Sequence, residues 1–588
     1  MQFNKTLIFL FCLALLTSVA WGVSTQTGKI QSTKSALSID TDTYLDINEL
    51  LCFVYNQGQY AYDNALELGQ YSGLYFPRGT KKTAIYDAGI WIGAKVEGQK
   101  RVAVAEFSSE YAPGPMADST FQTDRPAFRV YKIARGDTPE SNPDYAEWPV
   151  DQGAPVDGDG NPALLGDQMT WSVFNDANPA RHNVGAGNTA PLGLEIQQSM
   201  FAYGRSGALG KVIFNRYLII NKGPNTLEET YISLWADPDL GNASDDLVGC
   251  DTVLSLGFCY NDGSDAIYGD APPAVGFDFF QGPIDSTGNP DDSAKFKGEW
   301  IHGYVNLPMT SFNKYINGTD PESFEETYNY MQGLTPEGDA LEDPEGNITK
   351  FFVAGDPVTG EGWLDDASAD RRYMMSTGPF TMEPGDTQEV VAAILVGQGS
   401  SPISSITALK TVDDLAQTVF DLNFDIPSPP PNPSAWARGY DREIELTWGR
   451  EPEQHYQDYR EKTREFFVFE GYNVYQGESP SGPWKKIAVY DYRASESQRI
   501  FEPFAGENVV ICNSDSTECD TLPRDWKFEK IYNDILNTDA GEAEKIIVQS
   551  GSESGLVNHF TIQQDYINGG DLINNRPYYF AITPYSVN

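Results

Sequence analysis

The chain has 588 residues, of which 84 are acidic and 40 are basic, giving a formal net charge of −44. Nucleic acid and anionic lipid surfaces both repel so acidic a protein, so neither is expected as a partner. The length is too great for a single hydrophobic core. An aromatic content of 13%, with 54 Gly and 37 Pro, favours an all-β fold with tight turns over a helical bundle.

Residues 1–22 have the three parts of a secretory signal peptide. A short segment with one positive charge, Lys5, precedes an apolar run over 6–20, and small residues follow at positions suited to cleavage. The apolar run is shorter than the roughly 20 residues that span a bilayer. We therefore expect a secreted protein, extracellular or at the cell surface, without a membrane span in the mature chain.

Residues 23–425 are predicted to form a large antiparallel β-sandwich with long loops. Period-two apolar patterns bounded by turn residues indicate the strands, which are 84–96, 101–107, 194–203, 211–221, 227–236 and 388–397. Short connections join the three strands between 194 and 236, which predicts one antiparallel meander. The Gly- and Asp-rich segments 135–190 and 260–370 are expected to be functional loops or to be fixed by ligands and metals.

One helix is predicted before a linker. Apolar residues recur at helical spacing from Ser404 to Leu422, and Ser404 is the expected N-cap. The segment IPSPPPNP over 426–433 has five prolines in eight residues, which favours a stiff extended linker. The helix is expected to pack on the preceding sandwich and to end at this linker.

Residues 434–588 show strand patterns of their own. They include EIELTW, ending at Trp448, the hairpin GYNVYQGESPSGPWKKIA, and an aromatic strand around 578–582. Together they resemble a fibronectin type III domain, which implies a second, smaller β-sandwich. The last strand of such a domain is missing before Asn588. The sequence is therefore expected to be part of a longer protein, or to receive that strand from another chain.

An acidic loop directly after the strand 227–236 is the strongest candidate site. Calcium takes six to eight oxygen ligands from carboxylates, amides and carbonyls. No Lys or Arg lies between Lys222 and Lys295, so a cation is expected to neutralise the cluster. A solvated acidic loop is the alternative. The candidate ligands are Asp237, Asp239, Asn242, Asp245, Asp246 and Asp251.

A second calcium candidate lies within DQGAPVDGDGN. Asp157, Asp159 and Asn161 form the D-x-D-x-N pattern that opens many calcium loops. No closing glutamate stands at the expected place, and Asp-Gly turns are common in ordinary loops. Both interpretations stay open at this point.

The cysteines suggest two disulfides within short loops. Export permits disulfides, and the close pairs are Cys512 with Cys519 and Cys250 with Cys259. The second pair has an alternative, in which both residues are buried thiols on adjacent strands. Cys52 has no close partner in the sequence.

Catalytic residues are not assigned, because the chain has no HExxH, CxxC or GxSxG motif.

Several segments resemble large secreted proteins of unassigned function from Bacteroidota-like bacteria, which are type IX secretion cargo. These segments include GLYFPRGTKKTAIYDAGIWIGAKVEG, GDQMTWSVFNDAN and WADPDLGNASDDLVGCDT. The resemblance covers about 45–425 and implies a surface or extracellular location.

The expected function is structural or adhesive, as a subunit of an extracellular filament, sheath or surface layer that associates with itself or with other surface proteins. The alternative is a carbohydrate-binding or polysaccharide-degrading protein, in which Trp148, Trp171 and Trp363 could stack on sugars.

Overall fold

A computed structural model describes residues 42–116, 126–426, 432–449, 468–477, 479, 484–491, 509–512, 519–522, 530–537, 542–550 and 555–587. The predicted signal peptide, residues 1–22, lies outside this range. Among the described residues, none of the helices combines the length and the apolar character needed to cross a membrane.

The described part of 42–426 is mostly strands. In chain order they are β1 (Asp42–Leu45), β2 (Leu51–Tyr55), β3 (Gln59–Tyr60), β4 (Leu74–Tyr75), β5 (Thr83–Ile85), β6 (Asp87–Val96), β7 (Gln99–Ala103), β8 (Ala112–Pro113), β9 (Tyr131–Ala134), β10 (Gln168–Asn175), β11 (Leu194–Ala202), β12 (Val212–Asn221) and β13 (Leu227–Asp237). They continue with β14 (Leu247–Asp251), β15 (Leu256–Tyr260), β16 (Ala274–Gln281), β17 (Ile284–Ser286), β18 (Ser293–Phe296), β19 (Glu299–His302), β20 (Tyr304–Asn306), β21 (Ser311–Ile316), β22 (Leu341–Glu342), β23 (Ile348–Thr349), β24 (Arg371–Met382) and β25 (Thr387–Gly397).

Three α-helices interrupt the strands, namely α1 (Pro143–Ala146), α2 (Phe324–Met331) and α3 (Pro402–Asp421). Short 3-10 turns occur at Pro126–Phe128, Val150–Gln152, Ala208–Lys211 and Ala243–Asp245. Only α3 was expected from the sequence. Its N-cap is Ser401 rather than the predicted Ser404, because Ser404 occupies the third helical position and completes a capping box with Ser401.

Two large antiparallel sheets form the sandwich. The first has the order β21-β24-β13-β6-β3-β2-β4-β5, with β7 beside β6 and β1 beside β2. The second has the order β14-β15-β16-β25-β12-β11-β10-β8, with β9 beside β10. One continuous core joins the inner faces, including Ile92 and Leu234 from the first sheet and Ile213 and Phe277 from the second. The predicted all-β sandwich is confirmed.

The predicted meander over 194–236 is wrong in its last strand. β11 pairs with β12, but β13 crosses to the other sheet and pairs with β6 and β24. The free side of β12 is taken instead by β25, a strand far away in the sequence. The Asn221 side chain holds this corner by donating to the carbonyls of Asn225 and Met382. Apolar alternation indicates a strand but does not choose its partner.

Helices cover the outer face of each sheet. On the second sheet, Ile406, Leu409 and Ala416 of α3 pack in a separate apolar cluster with Phe214 and Leu395. On the first sheet, α2 packs in a cluster that contains Trp91 and Trp235. The predicted packing of α3 on the large sandwich is therefore found.

Residues 432–587 contain a smaller arrangement of strands, with a core of its own around Trp448 and Tyr472. The strands are β26 (Ala435–Tyr440), β27 (Glu443–Trp448), β28 (Val468–Gly477), β29 (Trp484–Asp491), β30 (Val509–Cys512), β31 (Cys519–Leu522), β32 (Lys530–Asn537), β33 (Glu542–Ser550), β34 (His559–Ile562) and β35 (Tyr579–Val587). They form sheets in the orders β26-β27-β34 and β29-β28-β35, with the hairpins β30-β31 and β32-β33 in a segment that the sequence suggested to be loop.

The two predicted disulfides have different outcomes. Cys250 and Cys259 are free, buried thiols on the adjacent strands β14 and β15, so that pairing is wrong. The register places Cys250 opposite Gly257 and makes the two cysteines diagonal neighbours, a separation of about 7–8 Å that exceeds the usual Cα distance of a disulfide. Cys512 and Cys519 are direct register partners in β30 and β31, and their disulfide stays a prediction.

Candidate metal centre

Three neighbouring strands of the first sheet present carboxylates at one edge. β13 ends at Asp237, which is the register partner of Asp87, the first residue of β6. On the other side of β13, β24 begins one residue after Asp370. Because the strands are antiparallel, the end of β13 lies beside the beginnings of β6 and β24. Side chains that are far apart in the sequence therefore meet here.

Asp237, Asp239 and Asp370 form the centre of this group, called the Asp cluster below. Each offers one carboxylate oxygen, and these three atoms lie within 4.8 Å of one another. Asp237 is only 1% exposed, and Asp239 and Asp370 are half-buried. The Oδ1 atom of each accepts no hydrogen bond, and neither oxygen of the buried Asp87 has a hydrogen-bond partner. Buried acceptors without donors are costly unless a cation or proton joins them.

Among the described residues, the guanidinium of Arg372 reaches the cluster. Arg372 of β24 donates from Nη2 to Asp237 Oδ2 at 3.0 Å, and its Nη1 lies 3.5 Å from Asp370 Oδ1. Its Nε lies 3.3 Å from Asp320 Oδ1. The sequence shows no basic residue near this loop, and strand pairing supplies an arginine 135 positions away.

The charges still do not balance. Three ionised carboxylates and one guanidinium leave two net negative charges in the cluster, before Asp87 is considered. Burial, followed by the neighbouring Asp239, raises the pKa of Asp237 well above its usual range. Burial and Asp370 raise the pKa of Asp239 to about 6. Burial and Asp237 likewise raise the pKa of Asp87. The raised pKa values mean that burial disfavours the charged carboxylates, and a divalent cation bound there would favour their ionised forms.

Aromatic rings form one side of the site. Trp91 and Trp235 stack with ring centroids 5.6 Å apart, and Phe107 packs edge-on against Trp235 at 5.5 Å. The Arg372 guanidinium lies over the Phe107 ring at 5.7 Å. These rings place apolar surface beside Arg372, and Trp235 lies two residues before Asp237 on β13, so the site borders a region of low polarity.

Hydrogen bonds fix the loop after β13 and hold Asp239 at the Asp cluster. Asp239 itself is in the left-handed region with φ of 44°, which aspartate adopts more readily than most residues. Asp246 accepts the backbone N–H of Leu240 at 3.0 Å, and Asp265 accepts that of Asn242 at 2.9 Å. Gly241 lies between them, and a Cβ there would come within 2.4 Å of the Asp265 carboxylate.

Four predicted ligands do not belong to the Asp cluster. The Asn242 side chain accepts a bond from Ser244, and Asp245 and Asp246 each accept one from Asn261. Asp251 forms an ion pair with Lys410 of α3 at 2.9 Å. Of the six candidates in this loop, only Asp237 and Asp239 meet, because the chain turns away through a 3-10 turn into β14.

The second calcium candidate is a turn. The exposed Asp157 accepts the backbone N–H groups of Asp159 and Asn161 with one oxygen, both at 2.9 Å. Asp343 makes the same two bonds to Glu345 and Asn347 in the sequence DPEGN. The D-x-D-x-N segment thus forms a turn that the Asp157 side chain caps, and the cluster of carboxylates found among the described residues does not include Asp157 or Asp159.

Sequence reasoning missed Asp370, Asp87 and Arg372. Asp87 lies within the predicted strand 84–96, where a single acidic residue does not indicate a metal site. Asp370 and Arg372 flank the start of β24, a strand that was not predicted. The pattern RRYMMSTGPFTM, which precedes a Pro-Gly-Asp turn, could have indicated that strand.

Comparison with known proteins yields no family. No family model matches the chain, and no curated protein matches it. A solved structure titled heparinase III is 8% identical, with a TM-score of 0.17, over 64% of this chain and 41% of that chain. The chain thus spans less than half the length of that protein. A TM-score this low establishes neither a shared fold nor a shared function.

Proposed function

We propose that this chain is an exported structural or adhesive protein whose large β-sandwich is stabilised at one edge by Ca²⁺. The observation that carries the proposal is the Asp cluster, in which three half-buried or buried carboxylates each bring one oxygen within 4.8 Å of the others, and each keeps an Oδ1 atom that accepts no hydrogen bond. Calcium bonds of about 2.3–2.6 Å suit such a separation, and carboxylate oxygens are its preferred ligands. Asp237, Asp239 and Asp370 would hold the ion.

The position of the cluster supports a mechanical role. The cluster lies where the end of β13 meets the start of β24, and Asp87 lies beside it at the start of β6. An ion held by the three residues of the Asp cluster would tie the end of β13, the loop after it and the start of β24 together. The N-terminal sequence supports export, and calcium is abundant outside cells at concentrations that suit extracellular sites of modest affinity.

A second part of the proposal concerns residues 434–588, which we propose to be a fibronectin type III-like module. Two three-stranded sheets around the fully buried Trp448 support this assignment. Such modules often act as spacers or contact surfaces, which fits a structural or adhesive chain.

Thermal unfolding with and without calcium tests the proposal. Binding to the folded state stabilises it by about 2.7 kcal/mol when the free ion is at 100 times its Kd, so calcium should raise the Tm by several degrees. Asp239→Asn should abolish this rise, because it removes one ligand charge. Asp159→Asn, in the exposed turn, is the matched control and should keep it.

Electron microscopy of the protein in calcium and in chelator tests the structural role separately. Ordered polymers that form only with calcium would support it. A calcium-stabilised but monodisperse protein would leave the ion site in place and contradict the assembly.

A further inference from the structure

A groove lies between the β18–β19 hairpin and the carboxyl end of α3. Its volume is about 440 Å³, within the range of small-molecule sites. An exposed tryptophan, Trp300, forms one wall. Two stacked rings, Phe280 and Phe420, line the inner part with centroids 5.9 Å apart.

Trp300 is unusual among the tryptophans of the described residues. It is 66% exposed, whereas the three that the sequence suggested for sugar stacking are packed into the protein. Trp171 is 1% exposed, Trp148 is 8% exposed, and Trp363 packs against Phe352 in a tilted arrangement with centroids 4.4 Å apart. A large exposed ring beside a groove offers apolar surface to a ligand, and a rigid ring loses little conformational entropy on binding.

Hydrogen bonds fix the strand opposite Trp300. Lys295 is its register partner across the strands. The Asn306 side chain accepts the Lys295 backbone N–H at 2.7 Å and donates to the Lys295 carbonyl at 3.0 Å. The same amide donates to the Gly282 carbonyl. The Trp300 wall is therefore attached to a hydrogen-bonded platform, which reduces the entropy lost on binding.

Polar groups surround the apolar surface. The Lys295 ammonium lies 3.9 Å from the centre of the Phe420 ring and donates to the Phe420 carbonyl at 2.8 Å. On the α3 side, Gln417 donates to Asp421 Oδ1 at 2.9 Å. The groove thus combines aromatic rings with a cation, a carboxylate and an amide, so that it offers both donors and acceptors.

The charge of the groove selects the ligand class. One lysine and one aspartate balance each other, so neither a cation nor an anion is favoured locally, and the net charge of −44 repels polyanions at longer range. A neutral sugar presents apolar C–H faces for stacking and hydroxyl groups for polar partners. We infer that this groove binds a neutral oligosaccharide, with one pyranose ring stacked on Trp300 and its hydroxyls bonded to Gln417 and Asp421.

Calorimetric titration of the full chain with neutral hexasaccharides tests this inference, using gluco-, manno- and xylo-oligosaccharides. At least one should bind with a Kd below 1 mM. Trp300→Ala should weaken that binding at least tenfold, and Gln417→Ala should weaken it severalfold. Trp436→Ala is the matched control, since Trp436 is also exposed, at 43%, but lies on β26, and it should bind as the parent does.

Three results would overturn the inference. They are no binding by any of the neutral sugars, unchanged binding by Trp300→Ala, and preferential binding of a sulfated hexasaccharide over the neutral ones. Circular dichroism of each variant checks folding, and Trp300 is exposed enough that its replacement should leave the melting curve unchanged.

Discussion

At the scale of single residues, Arg372 is the positive charge that contacts the Asp cluster. It contacts Asp237 and lies within ion-pair distance of Asp370 and Asp320. Its side chain is 7% exposed, so these contacts are weakly screened. Breaking a buried ion pair by removing one partner costs about 3–5 kcal/mol, because the other charge stays buried and unpaired.

Arg372→Gln should therefore destabilise the metal-free protein strongly and make calcium more effective. Loss of the guanidinium increases the negative charge of the Asp cluster, so the ion is expected to bind more tightly. Melting curves in chelator and in calcium should show a larger difference for the variant than for the parent. An equal or smaller difference would mean that Arg372 and the ion do not share the same carboxylates.

The residues of the site were partly predictable. Asp237 and Asp239 follow a strong strand pattern, so their position at a strand end could be read from the sequence. The remaining members could not, because Asp370 and Arg372 arrive through the pairing of β13 with β24, which joins segments more than 130 residues apart. The other acidic residues of the loop after β13 instead accept hydrogen bonds that hold the conformation of that loop.

At the scale of elements, a buried pair of carboxyl groups lies where α3 packs on the second sheet. Asp278 of β16 and Asp413 of α3 lie side by side, and both are buried. Burial and the neighbouring Asp413 raise the pKa of Asp278 well above its usual range, and burial raises that of Asp413 to about 7. The pair can therefore share a proton near neutral pH.

This pair should make the protein less stable as the pH rises. The folded state keeps a proton that the unfolded chain releases near pH 4, so the contribution of the pair is complete below that pH and is lost as the pH rises through about 7. We expect the Tm to fall between pH 5 and pH 8. Asp413→Asn should flatten this fall, whereas Asp414→Asn on the same helix should not. A parent Tm that is constant over this range would contradict the shared proton.

Element positions were more predictable than element partners. Period-two patterns identified strands at 84–96, 211–221 and 388–397, and helical spacing identified α3. The crossing of β13 between sheets was not visible, since a strand buried on both faces has the same pattern in either sheet. The prediction of long loops is wrong in part, because 135–190 contains β10 and 260–370 contains the strands from β16 to β23 and the helix α2. Buried carboxylates fix some of the remaining loop. For example, Asp176 accepts the backbone N–H groups of Leu192, Gly193 and Leu194.

At the scale of the whole molecule, the described residues form separate hydrophobic cores before and after the proline-rich segment. The large sandwich has its main core between two sheets, and the smaller module has its own core around Trp448. The proposed calcium site and the proposed sugar groove both belong to the first part. Acidic composition alone could not locate either one, because the negative charge is spread over the whole chain.

The most direct test of the account is to locate calcium in crystals of the protein grown with the ion. Anomalous scattering should show one peak at the Asp cluster, about 2.3–2.6 Å from an oxygen of each of Asp237, Asp239 and Asp370. The same peak should be absent from crystals of Asp239→Asn. Well-ordered carboxylates with no anomalous peak between them, at calcium concentrations above 5 mM, would contradict the central claim.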